Sequence, residues 1–271
     1  MKFAYATATG LLSLLLSVLS AAADEPAGVA KWTVGTLERE AVVIPPSKKT
    51  DGPVPVVFVF HGHGGTMKHM EKLGFQKQWP EAVIVCPQGL PTVTGRDPEG
   101  KRAGWQQKIG DNDDRDLKFV DAMLKTVREK YKVDNSRVFA TGHSNGGGFT
   151  YLLGAARPKD FAAIAPSAAG ASGLRTAKEK QPLPVLHIAG EKDETVPFAN
   201  QQKTVETVRK FNGCEADGKP WANVGDLTGT IYRSKDGAPV VFVEHPGTHK
   251  YPDSAPELIV RFFKEQAVEK K

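Results

Sequence analysis

The sequence predicts an α/β fold, with a mostly parallel sheet covered by helices on both faces. Three observations lead there. Short β-branched runs alternate with amphipathic stretches along the chain, the order that successive βα units produce. Several runs are apolar throughout, as strands covered on both sides are. No internal repeat and no linker divides the chain. With 40% hydrophobic and 25% charged residues in 271, disorder, collagen and coiled coil are excluded. The net charge of +5 is spread along the chain instead of forming a block, so no nucleic-acid partner is expected.

The first 23 residues read as a secretory signal peptide. Lys2 supplies the positive start, Leu11 to Leu19 form an apolar run broken by Ser13 and Ser17, and Ala21-Ala22-Ala23 provide small residues before Asp24. The run is shorter than the ~20 apolar residues a membrane anchor needs. The expectation is therefore a secreted or periplasmic protein without a stable membrane anchor, with residues 24–271 as one domain.

Beyond the signal, Lys31 to Ile44 read as strand material. Val54 to Phe60 form a near-continuous apolar strand that runs into His61-Gly62-His63-Gly64-Gly65, and Ala82 to Cys86 form the next, ended by Pro87-Gln88-Gly89. A Gly-, Pro- and charge-rich loop then extends from Leu90 to Asp113, long enough to suggest function or disorder. Asp114 to Tyr131 repeat apolar residues at Leu117, Val120, Leu124, Val127 and Tyr131, which is helical spacing. Arg137 to Thr141 are a strand, followed by a turn and a helix to about Arg157. Phe161 to Pro166 and Val185 to Ala189 are further strands, and Asn200 to Phe211 a helix. Thr228 to Arg233 and Val240 to Glu244 suit a hairpin around Asp236-Gly237, before a closing helix from Ala255 to Ala267.

The turn after Arg137–Thr141 carries the chemistry. Gly142-His143-Ser144-Asn145-Gly146 has the Gly-x-Ser-x-Gly form and sits between a strand and a helix, where a sharp turn exposes a serine hydroxyl at the top of a sheet. Serine becomes a nucleophile only with a base to take its proton and an acid to orient the base. On this turn the acid and then the base follow the serine along the chain. Asp193, in the loop after Val185–Gly190, is the favoured acid over Glu191 and Glu194. His249, in the loop between the last strand and last helix, is the favoured base over His245. His187 precedes the acid inside a buried strand and reads as structural. A developing oxyanion needs fixed donors: the backbone N–H of Asn145 is one, and His63 the first choice for the other, ahead of Gly64. His143, next to the nucleophile, and Trp105, in the long loop, are the candidate substrate-contacting residues; Trp105 also fits a packing role.

These motifs, together with Cys86-Pro87-Gln88-Gly89, Gly104-Trp105, Asp114-x-Asp116, Val133-Asp134-x-x-Arg137-Val138 and Phe161-Ala162-Ala163-Ile164-Ala165-Pro166, make the chain resemble the secreted α/β-hydrolase esterases. That group includes polyhydroxybutyrate depolymerases and feruloyl or acetylxylan esterases. The resemblance implies an α/β-hydrolase fold and ester hydrolysis through Ser144, Asp193 and His249, without metal or organic cofactor. The implied substrates are feruloyl or acetyl esters of polysaccharide, or small esters, with polyhydroxybutyrate as the alternative. Asp111 to Asp116 lack the glycine and distal glutamate of a calcium loop and read as a helix start with favourable charge. Cys86 and Cys214 allow at most one bridge, and strand-end burial of Cys86 favours none.

Overall fold

A computed structural model describes residues 27–175 and 181–269; the signal peptide expected at 1–23 lies outside them. Ten strands form one sheet in the order β1-β2-β4-β3-β7-β8-β9-β12-β11-β10. They are β1 (Gly28–Val34), β2 (Leu37–Ile44), β3 (Val54–Phe60), β4 (Val83–Pro87), β7 (Val133–His143), β8 (Ala163–Ser167), β9 (Val185–Gly190), β10 (Lys219–Val224), β11 (Leu227–Tyr232) and β12 (Val240–His245). The six central strands, β4 to β12 in sheet order, run parallel, and antiparallel strands close both edges. The short pair β5 (Leu90–Pro91) and β6 (Ala103–Gly104) stands apart.

The apolar run of β3 shows why the centre is buried on both faces. Val56, Phe58 and Phe60 point into one core with Leu117, Val120, Leu124 and Val127 of α3 (Arg115–Lys130), Phe149 and Leu152 of α4 (Asn145–Ala156), and Val205 and Val208 of α5 (Phe198–Phe211). Val57 and Val59 point into the other, with Met67 and Met70 of α1 (Met67–Glu71), Phe75 of α2 (Phe75–Gln78), and Leu258, Phe262 and Phe263 of α6 (Ala255–Glu269). Each such side chain contributes roughly 1.5–3 kcal/mol on leaving water.

Several expected elements change. The strand material at Lys31–Ile44 resolves into two strands, the β1–β2 hairpin, turned at Gly35, whose φ of 62° suits glycine. The expected hairpin of β11 and β12 forms, and β10, not anticipated, extends it to the sheet edge. Helices α1 and α2 are too short to show a period.

The acidic run at 111–116 does more than begin a helix. Asp116 is fully buried and pairs with the equally buried Arg39 of β2 at 2.9 Å, and it accepts the N–H of Gln106. Asp111 accepts from the N–H groups of Gln107 and Lys108, and Asp114 from Gly110 N–H and the Gln106 amide. These acids therefore tie down the loop that carries Trp105 to Gln107. Asn112, Asp113 and Asp114 all have φ near 50–55°, so the approach to α3 is a tight turn in place of a side-chain cap. Cys86 and Cys214 are both free thiols.

Candidate active site

Ser144, Asp193, His249 and His63 lie just beyond the C-terminal ends of the parallel strands β7, β9, β12 and β3, where open α/β sheets place their ligands, with His143 ending β7 and Asn145 beginning α4. At the end of β7, Ser144 has φ 56° and ψ −118°, a conformation costing about 1–3 kcal/mol in a non-glycine residue. The neighbours make it attainable. A Cβ on Gly142 would lie 2.5 Å from Gly146 O, and one on Gly146 would lie 2.5 Å from His61 O. Glycine at both positions lets the turn close against the loop after β3. Ser144 N–H donates to Ser167 O of β8 at 2.8 Å, which anchors the turn to the next strand.

The loops after β9 and β12 are joined to each other. Glu191 N–H donates to His245 O at 2.9 Å and Lys192 N–H to Gly247 O at 3.0 Å. Gly190 makes the approach possible, since a Cβ there would meet Thr248 O at 2.4 Å. The result brings His249 and Asp193 together: His249 Nδ1 lies 2.8 Å from Asp193 Oδ2, and His249 Nε2 lies 2.8 Å from Ser144 Oγ. A carboxylate only accepts, so Nδ1 carries the proton, and the free lone pair on Nε2 accepts the Ser144 hydroxyl. Asp193 is buried; its Oδ1 accepts the N–H groups of Thr195 and Val196, both at 2.8 Å. Glu191 and Glu194 have no part in this line. His245 accepts Gly247 N–H at Nδ1 and shapes the base loop instead.

The loop after β3 lies against the serine, with the position of a Cβ on Gly62 only 3.4 Å from Ser144 Cβ. Gly64 N–H is engaged by Ala103 O at 2.7 Å, and Gly65 N–H by Gly62 O. Among the described residues, no acceptor is paired with the N–H of His63 or of Asn145. The His63 ring donates from Nε2 to Asp97 at 2.9 Å, fixing its backbone. Asp97, drawn well below the usual carboxylate range first by the Arg102 N–H and then by His63 and Lys101, also orders the long loop.

Trp105 requires a correction. It is fully buried, stacked on Phe149 and edge-on to Phe60, and its indole N–H donates to His61 O at 2.8 Å. Of its two readings, packing is the one this burial supports, and a side chain so covered does not meet substrate. His143 is partly buried, its ring 4.9 Å from that of His249 and 5.5 Å from that of Tyr251. Burial, with His249 as the next cause, pushes it down to about 4, so it is neutral at neutral pH.

Side-chain roles that the motifs did not assign to His61 and Asn145, and Gln201, which no motif names, complete the setting. His61 donates from Nδ1 to Gly62 O and accepts Gly89 N–H at Nε2, joining two loops. The Asn145 side chain pairs with both backbone groups of Trp105, and the Gln201 amide reaches Asp193 Oδ2 at 3.0 Å. A lone His or Gln has no spacing signal, so only their partners reveal them. Among the described residues, no group of three or more His, Cys, Asp or Glu is placed to hold a metal ion, and no helix is long and apolar enough to cross a membrane.

Residues 40–217 match the family model of the dienelactone hydrolases. The chain belongs to the dienelactone hydrolase family. It is 30% identical over 230 residues to feruloyl esterase C of Emericella nidulans, covering 80% of this chain and 77% of that protein. To a probable feruloyl esterase C of Aspergillus clavatus it is 31% identical over 204 residues, with 74% and 70% covered. Among solved structures, the acetyl xylan esterase from Aspergillus awamori superposes with a TM-score of 0.66 at 16% identity, over 88% of this chain and 99% of that one. A ferulic acid esterase from Anaeromyces mucronatus, bound to ferulic acid, gives 0.60 at 16% identity, over 89% and 91%. The structural likeness establishes the α/β-hydrolase fold, and the sequence relatives make this dienelactone hydrolase family member a carboxylic ester hydrolase.

Proposed function

We propose that this esterase works through Ser144, His249 and Asp193 by an acyl-enzyme, and that it is exported. The observation that carries the mechanism is the unbroken line of 2.8 Å contacts from the Ser144 hydroxyl through His249 to Asp193, beside two backbone N–H groups without acceptors. As Ser144 Oγ attacks an ester carbonyl, its proton passes to His249 Nε2, and Asp193 holds the resulting imidazolium. The oxyanion meets the N–H groups of Asn145, at the start of α4, and of His63. His249 returns the proton to the departing alcohol oxygen as the ester C–O bond breaks; it then takes a proton from water as the water oxygen attacks the acyl carbon, and gives that proton to Ser144 Oγ as the acyl–Oγ bond breaks and the acid leaves. The first proton transfer has its acceptor already within hydrogen-bond reach, His249 Nε2 at 2.8 Å from Ser144 Oγ.

The substrates proposed are feruloyl or acetyl esters of plant polysaccharide, or small esters of those acids, by relation to the feruloyl esterases above; His143 forms part of the wall they meet. The test is purified mature protein on methyl ferulate, acetylated xylan, nitrophenyl acetate and polyhydroxybutyrate, alongside Ser144→Ala. Wild type is expected to turn over the first three and Ser144→Ala none; equal rates in the two proteins reject the mechanism, and preference for the polyester rejects the substrate class. An exported protein whose first residue is still Met1 rejects the signal peptide.

A further inference from the structure

Behind the acid lies a buried chain of polar groups that ester hydrolysis, as described, does not use. Gln201 of α5 is fully buried, and its Nε2 donates to Asp193 Oδ2 at 3.0 Å and to Val196 O at 2.7 Å. Its Oε1 lies 3.0 Å from His187 Nε2, and His187 Nδ1 lies 2.8 Å from the Tyr151 hydroxyl. His187 is fully buried on β9, and Tyr151 is fully buried on α4, the helix that Ser144 begins.

The protons in this chain have one consistent arrangement. Asp193 and Val196 O only accept, so the Gln201 amide must turn its NH2 towards them. Its oxygen then faces His187, which must donate from Nε2. Nδ1 is left with a lone pair, and the Tyr151 hydroxyl supplies the proton it accepts. The hydrogen bonds therefore form one line, Ser144 to His249, to Asp193, to Gln201, to His187, to Tyr151, whose two ends are joined only by the backbone of α4. Every buried polar side-chain group between Asp193 and Tyr151 is satisfied, in a place where an unpaired one is costly.

We propose that Tyr151, His187 and Gln201 are positioning residues for the ester-cleaving triad, locking the orientation of the Gln201 amide and through it the Asp193 carboxylate against the nucleophile's own helix. This rests on the catalytic reading above. Donation from Gln201 draws charge away from the face of Asp193 that holds His249. Without it, Asp193 holds the protonated imidazole more strongly, and the base becomes protonated at higher pH. The titratable groups facing this line are His143 from β7, with His69 beyond it, and Tyr251 on the His249 side, and on the Asp193 side His245, itself faced by Asp226 and Glu191.

The experiment compares pH profiles of kcat/KM on nitrophenyl acetate for wild type, Ser144→Ala, Gln201→Leu, Tyr151→Phe and Phe242→Leu. Phe242 packs 6.1 Å from the His187 ring without a hydrogen bond and serves as the packing control. Gln201→Leu and Tyr151→Phe are expected to keep KM, lose about tenfold or more in kcat, and move the acid limb upwards by roughly half a unit; Phe242→Leu is expected to lower the melting temperature without moving the limb. In wild type, nitrogen-15 spectra should show His187 protonated at Nε2 alone. An unmoved acid limb in both relay variants, an equal shift in Phe242→Leu, or a wild-type proton on His187 Nδ1 overturns the proposal. Because the spectrum is taken on wild type, it decides even if a variant does not fold. Retained activity in Ser144→Ala would instead reject the catalytic reading on which the proposal stands.

Discussion

Replacing Gly190 with alanine tests how His249, the proposed base, is held against Ser144. The added Cβ would sit 2.4 Å from Thr248 O and 2.7 Å from Gly247 O. Both atoms are backbone, so no side chain can swing away. Restoring ordinary contact, near 3.4 Å, requires the 246–249 loop to retreat by about 1 Å, because overlap on this scale is steeply repulsive. His249 travels with that loop, and a retreat of about 1 Å would stretch its 2.8 Å contact with Ser144 beyond hydrogen-bonding range. A misplacement of that size costs on the order of 10²-fold in rate. The assay is kcat and KM on nitrophenyl acetate, with a fluorophosphonate probe reporting Ser144 reactivity and a melting curve reporting the fold. A folded Gly190→Ala enzyme with wild-type kcat would refute the reasoning, because it would mean that the loop does not need this close approach to β9.

Further outcomes follow from the burial of charged and titratable groups. Asp116→Asn should cost about 3–5 kcal/mol in urea unfolding, because it strands the buried Arg39 guanidinium; a loss within 1 kcal/mol would show that the pair is not the anchor of the loop. Burial holds His187 down to about 4, against an ordinary value near 6.5. The unfolded chain therefore binds more protons between those values, and stability is fully present above about 6.5 and lost as pH falls towards 4. The loss amounts to roughly 3 kcal/mol from this group. Melting temperatures measured from pH 7 to pH 4 should fall accordingly, and less steeply in His187→Phe. Burial also pushes the Cys86 thiol well above its ordinary range, so Ellman's reagent should leave Cys86 unmodified until the protein unfolds.

Much of the site was legible because its geometry depends on local chain shape. Ser144 announces itself through the glycines on either side, which the turn requires on steric grounds, and Asp193 and His249 through their order after it. The choice between His245 and His249 rested on loop placement alone; the structure separates them by giving one the Ser144 contact and the other a bond to its own loop. Likewise, the sequence puts the His63 N–H ahead of that of Gly64 as the second donor, and the structure agrees with that order by engaging the Gly64 N–H with Ala103 O. For Trp105 the sequence leaves substrate contact and packing both open, because aromatic character does not say which face is covered, and burial decides for packing. The cluster at 111–116 was only partly legible, since pairing Asp116 with Arg39 joins residues distant in the chain.

By itself the sequence determined the layered α/β class, through periodicity and doubly apolar strands, and the Ser144 turn, through glycines whose absence of a side chain is a local necessity. Only the tertiary structure decided which histidine meets the serine, which backbone N–H is left without an acceptor, and that Gln201, His187 and Tyr151 stand in line behind Asp193. Those facts are set by hydrogen-bond partners brought together from β7, β9, α4, α5 and two loops. Such pairing depends on where strands lie in the sheet, and no spacing along the chain encodes it.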